Sequence, residues 1–163
     1  LVPEVCRKVT IPVIAAGGIA TGRAMYATMA LGAEGGQMGS RFIATEEASV
    51  HPLFKQEVLK AKEGDTVLTL KELSPVRLLK NSFYEQVEAL YQQREATPEN
   101  LKQLLGKGRA KLGMYEGDLK EGELEIGQVS SLIEEVKTVK EVFEEVLAEF
   151  QQTRDLMINA TND

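Results

Sequence analysis

The sequence predicts an α/β fold in which a parallel strand–helix–strand unit is followed by a mainly helical segment. Three observations carry this. Ile11 to Ala16 (IPVIAA) is a continuous apolar run, too short for a helix and bounded by Thr10 and Gly17-Gly18, the pattern of a strand buried on both faces. A helical stretch and a second short strand candidate follow within about 30 residues, the spacing of one βαβ unit. The later part of the chain ends in Val139, Val142, Phe143, Val146, Leu147 and Phe150, spaced for one face of a helix.

Taken in order, Leu1 to Val9 reads as the end of an amphipathic helix, with Val2, Val5, Cys6 and Val9 on one face and Pro3 confined to a first turn. The chain starts at Leu1 rather than Met, partway through an α/β pattern, and is read as a piece of a longer polypeptide. After the first strand, Thr21-Gly22 opens a helix whose C-cap is Gly32. Gly35 to Met38 is weak as a strand on propensity and is assigned by position. A helix starts near His51-Pro52, with Leu53, Phe54, Val58 and Leu59 inward. Thr66 to Leu70 alternates like a strand, Val76 to Leu79 is ambiguous, and Phe83 to Tyr91 is helical. Thr97-Pro98 begins another helix, as N-cap and first helical residue. The glycine- and charge-rich Gly106 to Gly127 reads as a long loop. Gln128 to Glu135 and Thr138 to Gln152 are helices, and Asn159 to Asp163 is a polar, frayed tail. The expected organisation is residues 1–45, residues 46–158 as a mainly helical extension, and the tail 159–163.

Composition excludes several classes. With 19 Lys and Arg against 25 Asp and Glu, the net charge of −6 argues against a nucleic-acid binder. No apolar run nears the roughly 18 residues needed to span a bilayer. One Cys and one His cannot build a Cys/His zinc site or an internal disulfide, so no metal ligands are assigned. With no secretory signal in view, a cytoplasmic location is expected. Cys6 is read as an inert thiol on an apolar face, and Met25, Met29 and Met38 as packing residues. Lys107, Arg109 and Lys111 form a small basic run among glycines and read as a solvated loop. Glu116, Asp118, Glu121, Glu123 and Glu125 read as a solvated acidic face.

The informative stretch is Ile11 to Phe42, IPVIAAGGIATGRAMYATMALGAEGGQMGSRF. Glycine turns stand at the C-terminal ends of both expected strands: Gly17-Gly18 and Gly39-Ser40. In a parallel sheet those ends lie side by side. Glycines admit close approach and unusual backbone conformations. Their N–H groups, with a serine hydroxyl, suit a phosphate dianion. At one corner alone a tight structural turn is the better explanation of Gly-Gly, the pairing of two corners brings the phosphate reading level with it, and the GxGxxG dinucleotide spacing is absent. Two adjacent loops sharing one phosphate is the arrangement at the last two strands of a TIM barrel.

This stretch resembles the nitronate monooxygenase family, in which the corresponding segments read IPVIAAGGI and LGAEGVQMGTRF, and its close relative, the flavin-dependent enoyl-acyl-carrier-protein reductase II. The likeness continues through Thr45-Glu46-Glu47 and His51-Pro52 and weakly to Gly127-Gln128. It implies the C-terminal portion of an FMN-binding TIM barrel, its last two strands and a mainly helical extension, completed by an N-terminal barrel half from elsewhere. By position it implies FMN phosphate contacts from the backbones of Gly17 and Gly18 on one side and Gly39 and Ser40 on the other, with Ala16 and Gln37 lining the flavin approach. Ser40 stands where Thr is usual, keeping the hydroxyl, and Gly36 where Val is usual. The catalytic His of such enzymes would lie upstream, inside a glycine-rich motif this sequence lacks. His51 is therefore read as a structural residue at a helix start, and no catalytic residue is assigned. For Lys107, Arg109 and Lys111 the resemblance offers contact with a substrate anion or acyl carrier as the rival to a solvated loop. The implied activity is oxidation of alkyl nitronates with O₂. The alternatives are NAD(P)H-dependent reduction of an enoyl thioester and a non-catalytic module binding a phosphorylated ligand. The apolar stripe of the last helix suits a homodimer or packing on the barrel.

Overall fold

The computed structural model describes residues 1–160; of the tail expected at 159–163, residues 161–163 lie outside the described residues. Two compact units are present: residues 1–47 with the segment from Lys137 onward, and residues 48–136. The stretch 46–158, read from the sequence as one extension, is thus divided between them, and its last helix belongs with the βαβ unit.

In the first unit, α1 (Val2–Cys6) carries Pro3 in its first turn, where the missing N–H costs nothing. Strand β1 is shorter than its apolar run, only Ile14–Ala16. Helix α2 (Gly22–Ala30) starts at Thr21, whose hydroxyl accepts from the Ala24 amide at 3.1 Å. Beyond its end, Gly32 takes φ +103°. Strand β2 (Gly35–Gln37) pairs parallel with β1 in the register Ile14↔Gly35, Ala15↔Gly36, Ala16↔Gln37. The chain then turns into the short α3 (Ser40–Ile43), which has no signature the sequence reading detected.

Ala15, Ile19 and Ala33 form a small core, with Val2, Ala24, Met25 and Met38 against it. Its modest size follows from the small residues of the strands. Cys6 serves packing and donates from Sγ to the Gly32 carbonyl at 3.2 Å. Met29 is exposed.

Helix α8 (Val139–Asn159) runs beyond the expected Gln152. It begins at a capping box formed by Thr138 and Glu141, and the Val139 amide donates to the Glu47 carboxylate at 2.9–3.0 Å. It crosses α2 at Gly22, where a Cβ would fall well inside contact distance of the Val146 carbonyl and the Phe150 amide. Tyr26 and Phe150 pack edge to face at 5.5 Å beside the crossing. Thr45 bridges Lys137, and the Glu46 amide donates to the Lys137 carbonyl at 3.0 Å, so residues leaving this unit lie beside those returning to it.

The second unit opens with α4 (Pro52–Lys60), capped by His51. An antiparallel hairpin follows, β3 (Thr66–Thr69) with β4 (Val76–Leu79), which resolves the ambiguous Val76–Leu79 as strand. Next come α5 (Ser82–Gln92) and α6 (Pro98–Leu105), with Asn81 and Thr97 as caps. The segment expected as a loop contains α7 (Arg109–Met114) and an antiparallel bridge from Glu125 to Leu78. Gly113 allows this, because Gly122 packs directly on it and a Cβ on either residue would strike the other's segment. The helix expected at Gln128–Glu135 is a 3-10 turn over Gln128–Leu132. Leu70, Leu78, Phe83, Val87 and Leu101 form a closed core, each at most 2% exposed. Leu70 is held there in the left-handed region, φ 53°, a conformation uncommon for a non-glycine residue and fixed here by its burial.

Candidate functional site: two glycyl corners on parallel strands

The register of β1 and β2 sets Ala16 beside Gln37. The residues after them, Gly17-Gly18 and Met38-Gly39, therefore leave the same edge of the sheet together. Gly17 and Gly18 have φ of +90° and +74°, a conformation L side chains resist. A Cβ built at Gly17, Gly18 or Gly39 would meet nothing within 4 Å. The backbone is thus bared toward open space at both corners, with Ala16, Gly17, Gly18, Gln37 and Gly39 all exposed and Ser40 half-buried. All six residues singled out from the sequence stand at this one edge.

Not every donor nearby is available to a ligand. The Gly22 amide, at the start of α2, donates to the Glu149 carboxylate at 2.8 Å. A carboxylate thus occupies that helix start. On the other side, Arg41 follows Ser40 directly and is 7% exposed. Its Nη2 donates to the Glu145 carboxylate on α8 at 3.0 Å, and Lys137 reaches the same oxygen at 2.9 Å. The Lys137 hydrogen bond first, then the Lys137 and Arg41 charges, hold the Glu145 carboxyl below its ordinary value. The Arg41 Nη1 is buried without a hydrogen-bond partner, one of two such side-chain atoms among the described residues; the other is Ser130 Oγ. The sequence reading gave Arg41 no role; its only signal is a cation one residue beyond a Gly-Ser corner.

His51 serves as the cap of α4: its Nδ1 accepts from the Leu53 amide at 3.2 Å. Gly117 lies against the ring, where a Cβ would come within 2.5 Å of Nδ1. Of the basic run, Lys107 and Lys111 are exposed as expected, and Arg109 is structural. Arg109 donates to the Leu104, Leu105 and Glu121 carbonyls, stands 4.8 Å over the Phe83 ring, and is no solvated loop residue. Lys111 pairs with Glu116 at 3.0 Å. The acidic face differs from expectation at Glu123, which is 7% exposed. Burial, reinforced by Glu125 and opposed by Arg109, pushes its carboxyl up to about 7. Burial and neighbouring carboxylates likewise raise the phenols of Tyr84 and Tyr91. Among the described residues no group of three or more His, Cys, Asp or Glu could hold a metal ion, and no helix is long and apolar enough to cross a membrane.

Fold and site together define an α/β chain whose open glycyl corners crown adjacent parallel strands. The chain belongs to the nitronate monooxygenase family, whose model matches residues 1–149. It is 44% identical over 84 residues to a probable nitronate monooxygenase of Staphylococcus saprophyticus, a match covering 51% of this chain and 24% of that protein. Among solved structures, FabK from Thermotoga maritima superposes with a TM-score of 0.90 at 42% identity, over 98% of this chain and 50% of that one. A nitroalkane oxidase from Streptomyces ansochromogenes gives 0.77 at 28% identity, over 96% and 44%. The chain therefore spans about half the length of the solved structures it matches.

Proposed function

We propose that this chain is the flavin-phosphate-binding part of an FMN-dependent oxidoreductase that oxidises alkyl nitronates with O₂. The observation that carries it is the parallel register setting Gly17-Gly18 beside Gly39-Ser40, with open space where side chains would otherwise stand. Amides of Gly17 and Gly18 hold the phosphate from one side, and the Gly39 amide with the Ser40 amide and hydroxyl from the other. Ala16 and Gln37, level with each other at the strand ends, line the approach of the ring system. When bound, FMN supplies the electron acceptor for the substrate and the donor for O₂. The chain's own contribution is to fix that group in place.

In this reading residues 1–45 are the end of a TIM barrel. The remaining strands and the catalytic base come from polypeptide outside residues 1–163, and the whole acts in the cytoplasm. A second reading keeps the site and changes the reaction, to reduction of an enoyl thioester with NAD(P)H. Its support is the greater similarity to the FabK structure than to the nitroalkane oxidase.

Together with its complementary barrel half, the chain is expected to take up FMN and to show flavin absorbance near 450 nm. A colourless assembly that leaves added FMN free would overturn both readings. With the complementary half present, oxygen consumption on propionate-3-nitronate is the expected turnover, whereas NAD(P)H oxidation driven by a crotonyl thioester selects the second reading.

A further inference from the structure

We propose that Arg41 is the positioning residue that gives the Gly39–Ser40 corner its preference for a phosphate dianion, held in place for this by Glu145 of α8. The inference rests on the phosphate reading above and adds a side chain that reading does not use.

Three observations converge on it. Arg41 follows Ser40 directly, and its side chain is only 8% exposed, against 50% for that of its partner Glu145. Solvent therefore screens the carboxylate far more than the guanidinium, so the pair does not cancel and the residue next to Ser40 keeps net positive character. Next, only one arm of the fork is spoken for: Nη2 binds Glu145, while Nη1 is buried with no hydrogen-bond partner. A buried guanidinium arm left unsatisfied is costly and persists where a site gains from the charge. Finally, the partner is itself fixed. Glu145 also binds Lys137, the Lys137 carbonyl accepts from the Glu46 amide, and Glu47 binds the Val139 amide at the start of α8. Segment 41–47 is thus tied to α8 at both ends, which holds the chain leaving Ser40 in one position. Arg41 contributes its charge through this placement rather than by a contact to the ligand.

The test compares FMN with riboflavin, which has the same ring system and no phosphate, by fluorescence titration of the chain together with its complementary barrel half. Wild type is expected to bind FMN more tightly. Arg41→Met is expected to weaken FMN at least tenfold while riboflavin changes less than twofold, and Arg41→Lys to recover part of the FMN affinity. Glu145→Gln, which keeps the cation and removes its anchor, is expected to weaken FMN several-fold with riboflavin again unmoved. A purely structural Arg41 would shift the thermal midpoint and both ligands in parallel. Equal losses for the two ligands, or an unchanged FMN-to-riboflavin ratio in Arg41→Met, overturn the inference and leave the phosphate site standing. If Arg41→Met does not fold, the ratio in Arg41→Lys and Glu145→Gln decides in the same way. If wild type itself does not distinguish FMN from riboflavin, the phosphate reading falls and this inference with it.

Discussion

Residues 48–136 build their core from large apolar side chains, whereas the core of the unit made by residues 1–47 and α8 is mostly small residues. In the former, Phe83, Leu78, Val87 and Leu101 are fully buried about a hairpin and two helices. In the latter the core is Ala15, Ile19 and Ala33, while Ile11 is 70% and Ile14 57% exposed and Phe143 and Leu147 are half exposed. Burial of apolar area is the main favourable term in folding. Within residues 1–163, the larger share of buried apolar area therefore lies in the unit without the glycyl corners.

The comparison can be broken most directly at Phe83. Phe83→Ala removes a fully buried ring and the face on which Arg109 lies, and is expected to cost about 3–5 kcal/mol. Hydrogen exchange should show the loss in α5, α6 and the hairpin; equal loss of protection in α2 and α8 would mean that the two units unfold as one. Next in size is Glu123. Its buried carboxyl keeps its proton up to about pH 7, while in the unfolded chain it loses it near 4.5. Between those values the native state binds the extra proton, so stability falls as pH rises, by roughly 3 kcal/mol in all. The urea midpoint of Glu123→Gln should lack this decline between pH 5 and 7.5; an identical slope in wild type and variant would contradict the assignment. The smallest effect is expected at the α2–α8 crossing. Gly22→Ala forces a methyl against α8 backbone and should cost about 1–3 kcal/mol. Exchange should rise in α2 and α8 while the transition of 48–136 stays where it was.

Much of this was legible in the sequence because it depends on local chemistry. Thr21, Thr97 and Thr138 each stand at a helix start, and each hydroxyl accepts from the amide three residues on. The paired glycyl corners were visible for a similar reason: two strand ends close together in sequence can be parallel neighbours only through the intervening helix. What escaped depends on partners far along the chain. Gly106 to Gly127 looked like a loop because its glycines disfavour helix, yet Gly113 is in α7 because Gly122 needs the room. Glu123 looked solvated among its acidic neighbours, and only the surrounding fold buries it. Arg41 was invisible for the same reason, its partner Glu145 lying 104 residues away.

The junction at Thr45, Glu46 and Lys137 has a consequence for how such a polypeptide can change length. Because departure and return share one seam, the intervening stretch behaves topologically as an insertion. A connector of a few residues from Glu47 to Lys137 could replace it without dragging the ends apart. The β1–β2 register that sets Gly17, Gly18, Gly39 and Ser40 side by side lies wholly on the near side of that seam.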